Sequence, residues 1–207
     1  MDKDKRKLTE KELKRKKDFE KLSSEMQQKG YKVKNIIINT QQAKTLCLLI
    51  MLPFMALAFW IYYHVNGFDL DCLSWGFLVA LIVLISCLII LHELIHGITW
   101  AIFAKNHFHA IGFGIIWNSF SPYCTCSNPL KKWQYLLGVA MPTLVLGGGG
   151  AVAAVMTNQL LLFLAAEYMI LSGGGDFQLI LRSILTDKRE SVYCDHPYEC
   201  GFVVFEK

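Results

Sequence analysis

Four long apolar stretches separated by short polar breaks dominate the chain: roughly Leu46 to Tyr63, Leu73 to Ala104, Trp133 to Met156 and Leu160 to Leu181. Each is long enough to cross a hydrocarbon core of about 30 Å as an α-helix. The pattern therefore predicts an all-α polytopic membrane protein with four transmembrane helices. The second stretch runs for 32 residues with Glu93 as its one formal charge. It would be about 48 Å long if helical throughout, so it has to tilt, break or emerge from the bilayer. Pro53 lies inside the first stretch, where neighbouring helices can absorb a kink. Trp60, Tyr62 and Tyr63 give that stretch an aromatic end suited to a membrane interface. Only Thr157-Asn158-Gln159 separates the third and fourth stretches, which predicts a tight turn.

Ahead of the first span the polar background returns. Phe19, Leu22 and Met26 form a narrow apolar stripe at helical spacing within residues 8–29. Thr9 and Glu12 are placed as a capping box, Leu8 and Leu13 as a hydrophobic staple, and Gly30 as a terminator. This predicts an amphipathic helix lying on the membrane face or on the body of the protein. Val33 and Ile36-Ile37-Ile38 give Tyr31 to Asn39 strand character, and Ile111 to Trp117 can pair with Tyr123 to Cys126 as a short cytoplasmic β-hairpin. The expected organisation is a basic cytoplasmic helix and strand over 1–43, the four-span domain over 44–182, and a cytoplasmic tail over 183–207.

Charge adds orientation. Residues 1–34 hold 13 Lys/Arg against 7 Asp/Glu, a net of +6 in a chain whose total is +4. A basic segment before the first span reads as cytoplasmic and can touch anionic lipid headgroups. Lys105, Lys131, Lys132, Arg182, Lys188 and Arg189 fall on the same side, whereas the first interspan loop carries Asp69 and Asp71 and no cation. Both termini are thus expected inside a cell membrane, with no cleavable signal peptide. Nucleic acid is a poor partner for the basic arm, because acids interleave with the bases and Phe19 and Tyr31 are its only aromatics. Seven cysteines form no C-x-x-C pair. Cys194-x-His196-x-x-x-Cys200 matches no standard metal spacing.

Chemistry is concentrated in His92-Glu93-Leu94-Ile95-His96, deep in the second stretch. Histidines four apart share one helix face and can bind one metal ion from one side. Glu93, about 100° round from His92, can hold a water at that metal without ligating it. Chance occurrence on a surface helix is the competing explanation, but this helix has no evident solvated face, and such groups in hydrocarbon cost several kcal/mol unless they line a cavity or ligate something. A catalytic zinc site needs a third protein ligand. Asp176, Glu167, His107, His109, Cys124 and Cys126 are candidates. Depth favours Asp176, six residues before Arg182. Glu167 lies about 13 Å further from that end. Gly173-Gly174-Gly175, just before Asp176, can unwind the helix or admit a close neighbour.

The order of H-E-x-x-H, a proline-bearing span and then an Asp resembles the core of site-2-type intramembrane zinc metalloproteases. More closely, residues 85–205 resemble small bacterial membrane proteins grouped as zincin peptidases, through His92-Glu93-x-x-His96-Gly97, Pro122-Tyr123-Cys124, Pro142, Asp176 and Asp195-His196-Pro197…Cys200-Gly201-Phe202. The resemblance implies Zn²⁺ held by His92, His96 and Asp176, Glu93 as general base, and a cytoplasm-facing site. The site-2 A-G-P-x-x-N pattern reads Ala140-Met141-Pro142-Thr143-Leu144-Val145 here, and Phe177 rather than glycine follows Asp176. The expected function is zinc-dependent peptide-bond hydrolysis within or beside the membrane, on a peptide or membrane-protein substrate, with membrane lipids as surroundings. The alternative is a catalytically silent, metal-stabilised protein that sequesters a partner peptide.

Overall fold

A computed structural model describes residues 9–38, 40–116, 121–185 and 191–207. The N-terminal helix α1 spans Glu10–Gln28. Its capping box forms as its spacing predicts: Thr9 Oγ1 accepts the Glu12 N–H at 3.3 Å, and the Glu12 carboxylate accepts the Thr9 N–H at 2.8 Å. Gly30, at φ 85°, turns the chain out of the helix. Leu8, the other half of the expected staple, lies outside the described residues.

Four helical passes are long and apolar enough to cross a membrane: Thr45–Asn66, Trp75–Phe103, Lys132–Thr157 and Leu160–Leu185. The chain is a polytopic membrane protein. The first pass is the bulk of α2 (Thr40–Asn66), continuous through Pro53, and the second is α3 (Trp75–Phe103), unbroken over 29 residues. The other two passes are interrupted. The third is α4 (Lys132–Pro142), a π-helical segment (Thr143–Gly149) and α5 (Gly150–Thr157). Its widened stretch follows Pro142, which has no N–H to give the helix ladder. The fourth is α6 (Leu160–Ser172) and α7 (Gly174–Leu185), parted at Gly173. Asn158, left-handed at φ 53°, makes the tight turn between the third and fourth.

The soluble parts gather at one end of this bundle. The hairpin pairs β2 (Ile111–Ile116) with β3 (Ser121–Cys126), Ile111 opposite Cys126. Trp117, the expected end of the first strand, lies outside the described residues. A second sheet orders its antiparallel strands β1-β6-β5-β4, with β1 at Lys32–Ile37, β4 at Leu130–Lys131, β5 at Val192–Asp195 and β6 at Gly201–Glu206. The first and last strands are therefore hydrogen-bonded neighbours, Lys32 opposite Glu206. β6 is buried on both faces: Phe202 and Val204 pack with Trp100, Tyr135 and Tyr193, while Val203 and Phe205 pack under Phe19, Leu22 and Met26 of α1. The amphipathic helix thus spends its apolar stripe on this sheet. Gly201 enters β6 at φ 146°, with the Ile36 carbonyl where a side chain would begin, so both its backbone conformation and the available space require glycine.

Candidate metal centre

From Trp75 to Leu91 no residue of α3 is buried, as expected of a lipid-facing surface; burial begins at His92 and continues through His96, Gly97, Thr99, Trp100 and Ala101. At 1.5 Å per residue, His92 lies about 26 Å along the helix from Trp75. With Trp75 at one interface, that is a few ångström short of the other. Here α3 packs against α4 and β3. The α4 contact is tight because the Trp100 indole occupies the space a Cβ at Gly138 would need.

The fourth pass arrives from the other side. At its break, the Thr143 side chain fills the place of a Cβ on Gly173, and Cys47 of α2 fills that of Gly174. The glycine triplet thus serves both purposes the sequence suggested, an interruption of the helix and a close approach by two neighbouring helices. It sets Asp176 in the first turn of α7, where unpaired N–H groups favour a carboxylate.

These elements bring His92, His96 and Asp176 together, with one ligand atom from each lying within 4.8 Å of the others. His92 Nε2 is 3.1 Å from Asp176 Oδ2, His96 Nε2 is 3.4 Å from Asp176 Oδ1, and the two Nε2 atoms are 3.2 Å apart. Both histidines are buried. His96 Nδ1 donates to the Gly138 carbonyl at 2.8 Å. That bond puts the neutral ring's proton on Nδ1 and leaves a bare lone pair on Nε2, aimed at the other two groups.

This donor set fits zinc. Two imidazole nitrogens and a carboxylate are a ligand set that catalytic zinc takes with water in the fourth position, and one such atom from each residue lies within 4.8 Å of the others. Buried together, these groups have to share protons or a cation to offset their desolvation, and a metal ion meets all three at once. An imidazole already oriented by a carbonyl is the arrangement metal-ligating histidines require.

Glu93 follows His92 and sits against the hairpin, with the backbone N–H of Cys124 on β3 close to its carboxylate. The hairpin is seated there because α3 carries no side chain at Gly97, leaving room for the Phe113 ring and Ile111.

The rival ligands are elsewhere. Among the described residues, the His92, His96 and Asp176 group is the one cluster of at least three such side chains close enough to hold a metal. His107 and His109 sit exposed in a 3₁₀ turn, and Glu167 keeps a buried Oε1 without a partner in the span. Cys126 has its thiol pushed up to about 12 and Cys124 is raised further, by burial first and then by the charge of Asp195. Burial likewise raises Cys194 and Cys200. None of these cysteines belongs to the cluster. What the sequence did not reveal is the support around the histidines and the glutamate: the Gly138 carbonyl and the Cys124 amide are backbone groups, and no residue type announces them.

Residues 84–192, just over half of the chain, match the model of a family described as "putative zincin peptidase". No curated protein and no solved structure matches the chain.

Proposed function

Because the chain belongs to this zincin peptidase family, we propose that it hydrolyses peptide bonds at the membrane, using zinc held by His92, His96 and Asp176. The observation that supports this most is the convergence of three ligand atoms within 4.8 Å from two separate passes. Zinc, when bound, acidifies water and polarises a peptide carbonyl. Glu93, next to the first ligand and outside the trio, takes the proton from the attacking water on its carboxylate and gives it to the departing amine. The Cys124 amide lies near that carboxylate, on the hairpin packed against α3. The Gly138 carbonyl, by taking the Nδ1 proton, holds His96 as a neutral donor.

The sheet and hairpin end faces the cytoplasm on this reading. Lys105, Lys131, Lys132 and Arg182 cluster at that end, and Asp69 and Asp71 at the opposite one. The site then lies just inside the inner interface, within reach of a membrane-protein segment or a cytoplasmic peptide. Anionic lipid is a natural neighbour for the basic α1, and nucleic acid is not among the expected partners.

The test is a comparison of new protein N-termini in cells expressing wild type or Glu93→Gln. Wild type should generate cleavage products that Glu93→Gln lacks while that variant still binds zinc. Identical sets of termini, with zinc bound in both, would overturn hydrolysis in favour of a silent partner-binding protein.

A further inference from the structure

Asp195 lies beyond the family-matched region, at the end of β5 in the C-terminal sheet. Both of its carboxylate oxygens are engaged, and on different elements. Oδ2 accepts the backbone N–H of Cys126 on β3 at 2.7 Å, and Oδ1 accepts the Tyr135 hydroxyl of α4 at 2.7 Å. Each of these elements continues to the metal centre. Two residues along β3 from Cys126 is Cys124, whose N–H lies near the Glu93 carboxylate. One turn along α4 from Tyr135 is Gly138, whose carbonyl is on His96. Tyr135 makes a second connection, since its carbonyl accepts the Trp100 Nε1–H at 3.1 Å and the Trp100 ring stacks on His96 with centroids 5.2 Å apart.

We propose that Asp195 is a positioning residue of the metal centre, a clasp that fixes β3 to α4 so that one carboxylate orients both the general base and a zinc ligand. The inference rests on the zinc reading above and assigns a task to Asp195, three residues past the end of the family match. Charge-assisted hydrogen bonds of this length are among the stronger ones available, and outer-shell partners of metal-ligating histidines weaken metal binding by about 10- to 100-fold when removed.

The two-sided contact makes the idea separable from simple loss of stability. Asp195→Asn can keep both bonds, its carbonyl accepting from Cys126 and its amide donating to the Tyr135 hydroxyl. Asp195→Ala loses both, and Tyr135→Phe loses the α4 bond alone. Full-length protein in detergent is titrated with Co²⁺, read by its visible ligand-field absorption, and amide exchange is followed at Cys124. Asp195→Ala and Tyr135→Phe should weaken Co²⁺ binding about 10- to 100-fold. Asp195→Asn should stay within about threefold of wild type, well inside that penalty. Exchange at Cys124 should rise in Asp195→Ala and remain near wild type in Tyr135→Phe, with β1–β6 exchange unmoved in both. If Tyr135→Phe, the milder change, binds Co²⁺ as wild type does with an identical spectrum, the clasp is wrong while the zinc site stands. If wild type itself takes up no Co²⁺, the metal reading fails and this inference fails with it.

Discussion

His96 shows how little of a site is the side chain alone. Its Nε2 faces Asp176 and His92, its Nδ1 is held by Gly138, and Trp100 lies against its ring. His96→Gln keeps a polar side chain without the second ring nitrogen, and should lower zinc affinity by at least about tenfold, read by chelator competition. Gly138→Ala forces a methyl group into the Trp100 indole. Overpacking of this kind costs about 1–3 kcal/mol, and a lower thermal midpoint in detergent is the expected readout. Asp195 provides a pH signature. Burial pushes its carboxyl up to about 6, against the opposing pull of the Cys126 and Tyr135 hydrogen bonds. The folded protein therefore holds this proton more tightly than the unfolded chain does. The stabilisation is full below the ordinary carboxylate range and is lost as pH rises through about 6. Relative to Asp195→Asn, wild type should gain about 1 kcal/mol of stability between about pH 7 and about pH 5. Because His196, lowered by burial, drifts the opposite way in both proteins, the difference between them isolates Asp195.

Among the elements, the hairpin carries the most consequence for its size. One face lies on α3, with Phe113 over Gly97 and Cys124 at Glu93. The other is gripped from α1: Arg15 donates to Tyr123 Oη at 2.9 Å and to Thr125 Oγ1 at 3.1 Å, and its guanidinium lies 5.0 Å from the Tyr123 ring centroid. Hydrogen bonds to a charged group are worth about 1.5–3 kcal/mol. Since the pair is part-buried, Arg15→Met should speed exchange across 121–126 by about tenfold, with α3 unchanged. The hairpin was legible in the sequence, as were α1 and its cap, because turn chemistry, alternation and capping are local signals. The approach of Asp176 to the two histidines was legible through counting, since helix rise fixes depth. The four-stranded sheet was not. Lys32 and Glu206 are strand partners at opposite ends of the chain, and a pairing over that distance leaves no local trace. Phe202-Val203-Val204-Phe205, apolar on both faces, gives no alternation to separate a doubly buried strand from an apolar tail. Residues 188 and 189, read as inside charges, lie outside the described segments.

For the whole molecule, the arrangement is a membrane bundle whose reactive groups sit near one end and whose soluble caps close over that end. α1 and the sheet hold each other through β6, and hairpin, sheet and α4 share one apolar cluster with the lower part of α3. Three polar, buried or half-buried groups are brought together from α3 and α7. On the reading proposed above, a metal ion joins them. This is tested most directly by metal analysis of purified full-length protein: wild type, Glu93→Gln and Asp176→Ala. About one zinc per chain is expected in the first two, because the base is not a ligand, and a marked loss in Asp176→Ala. Equal zinc in wild type and Asp176→Ala would contradict it.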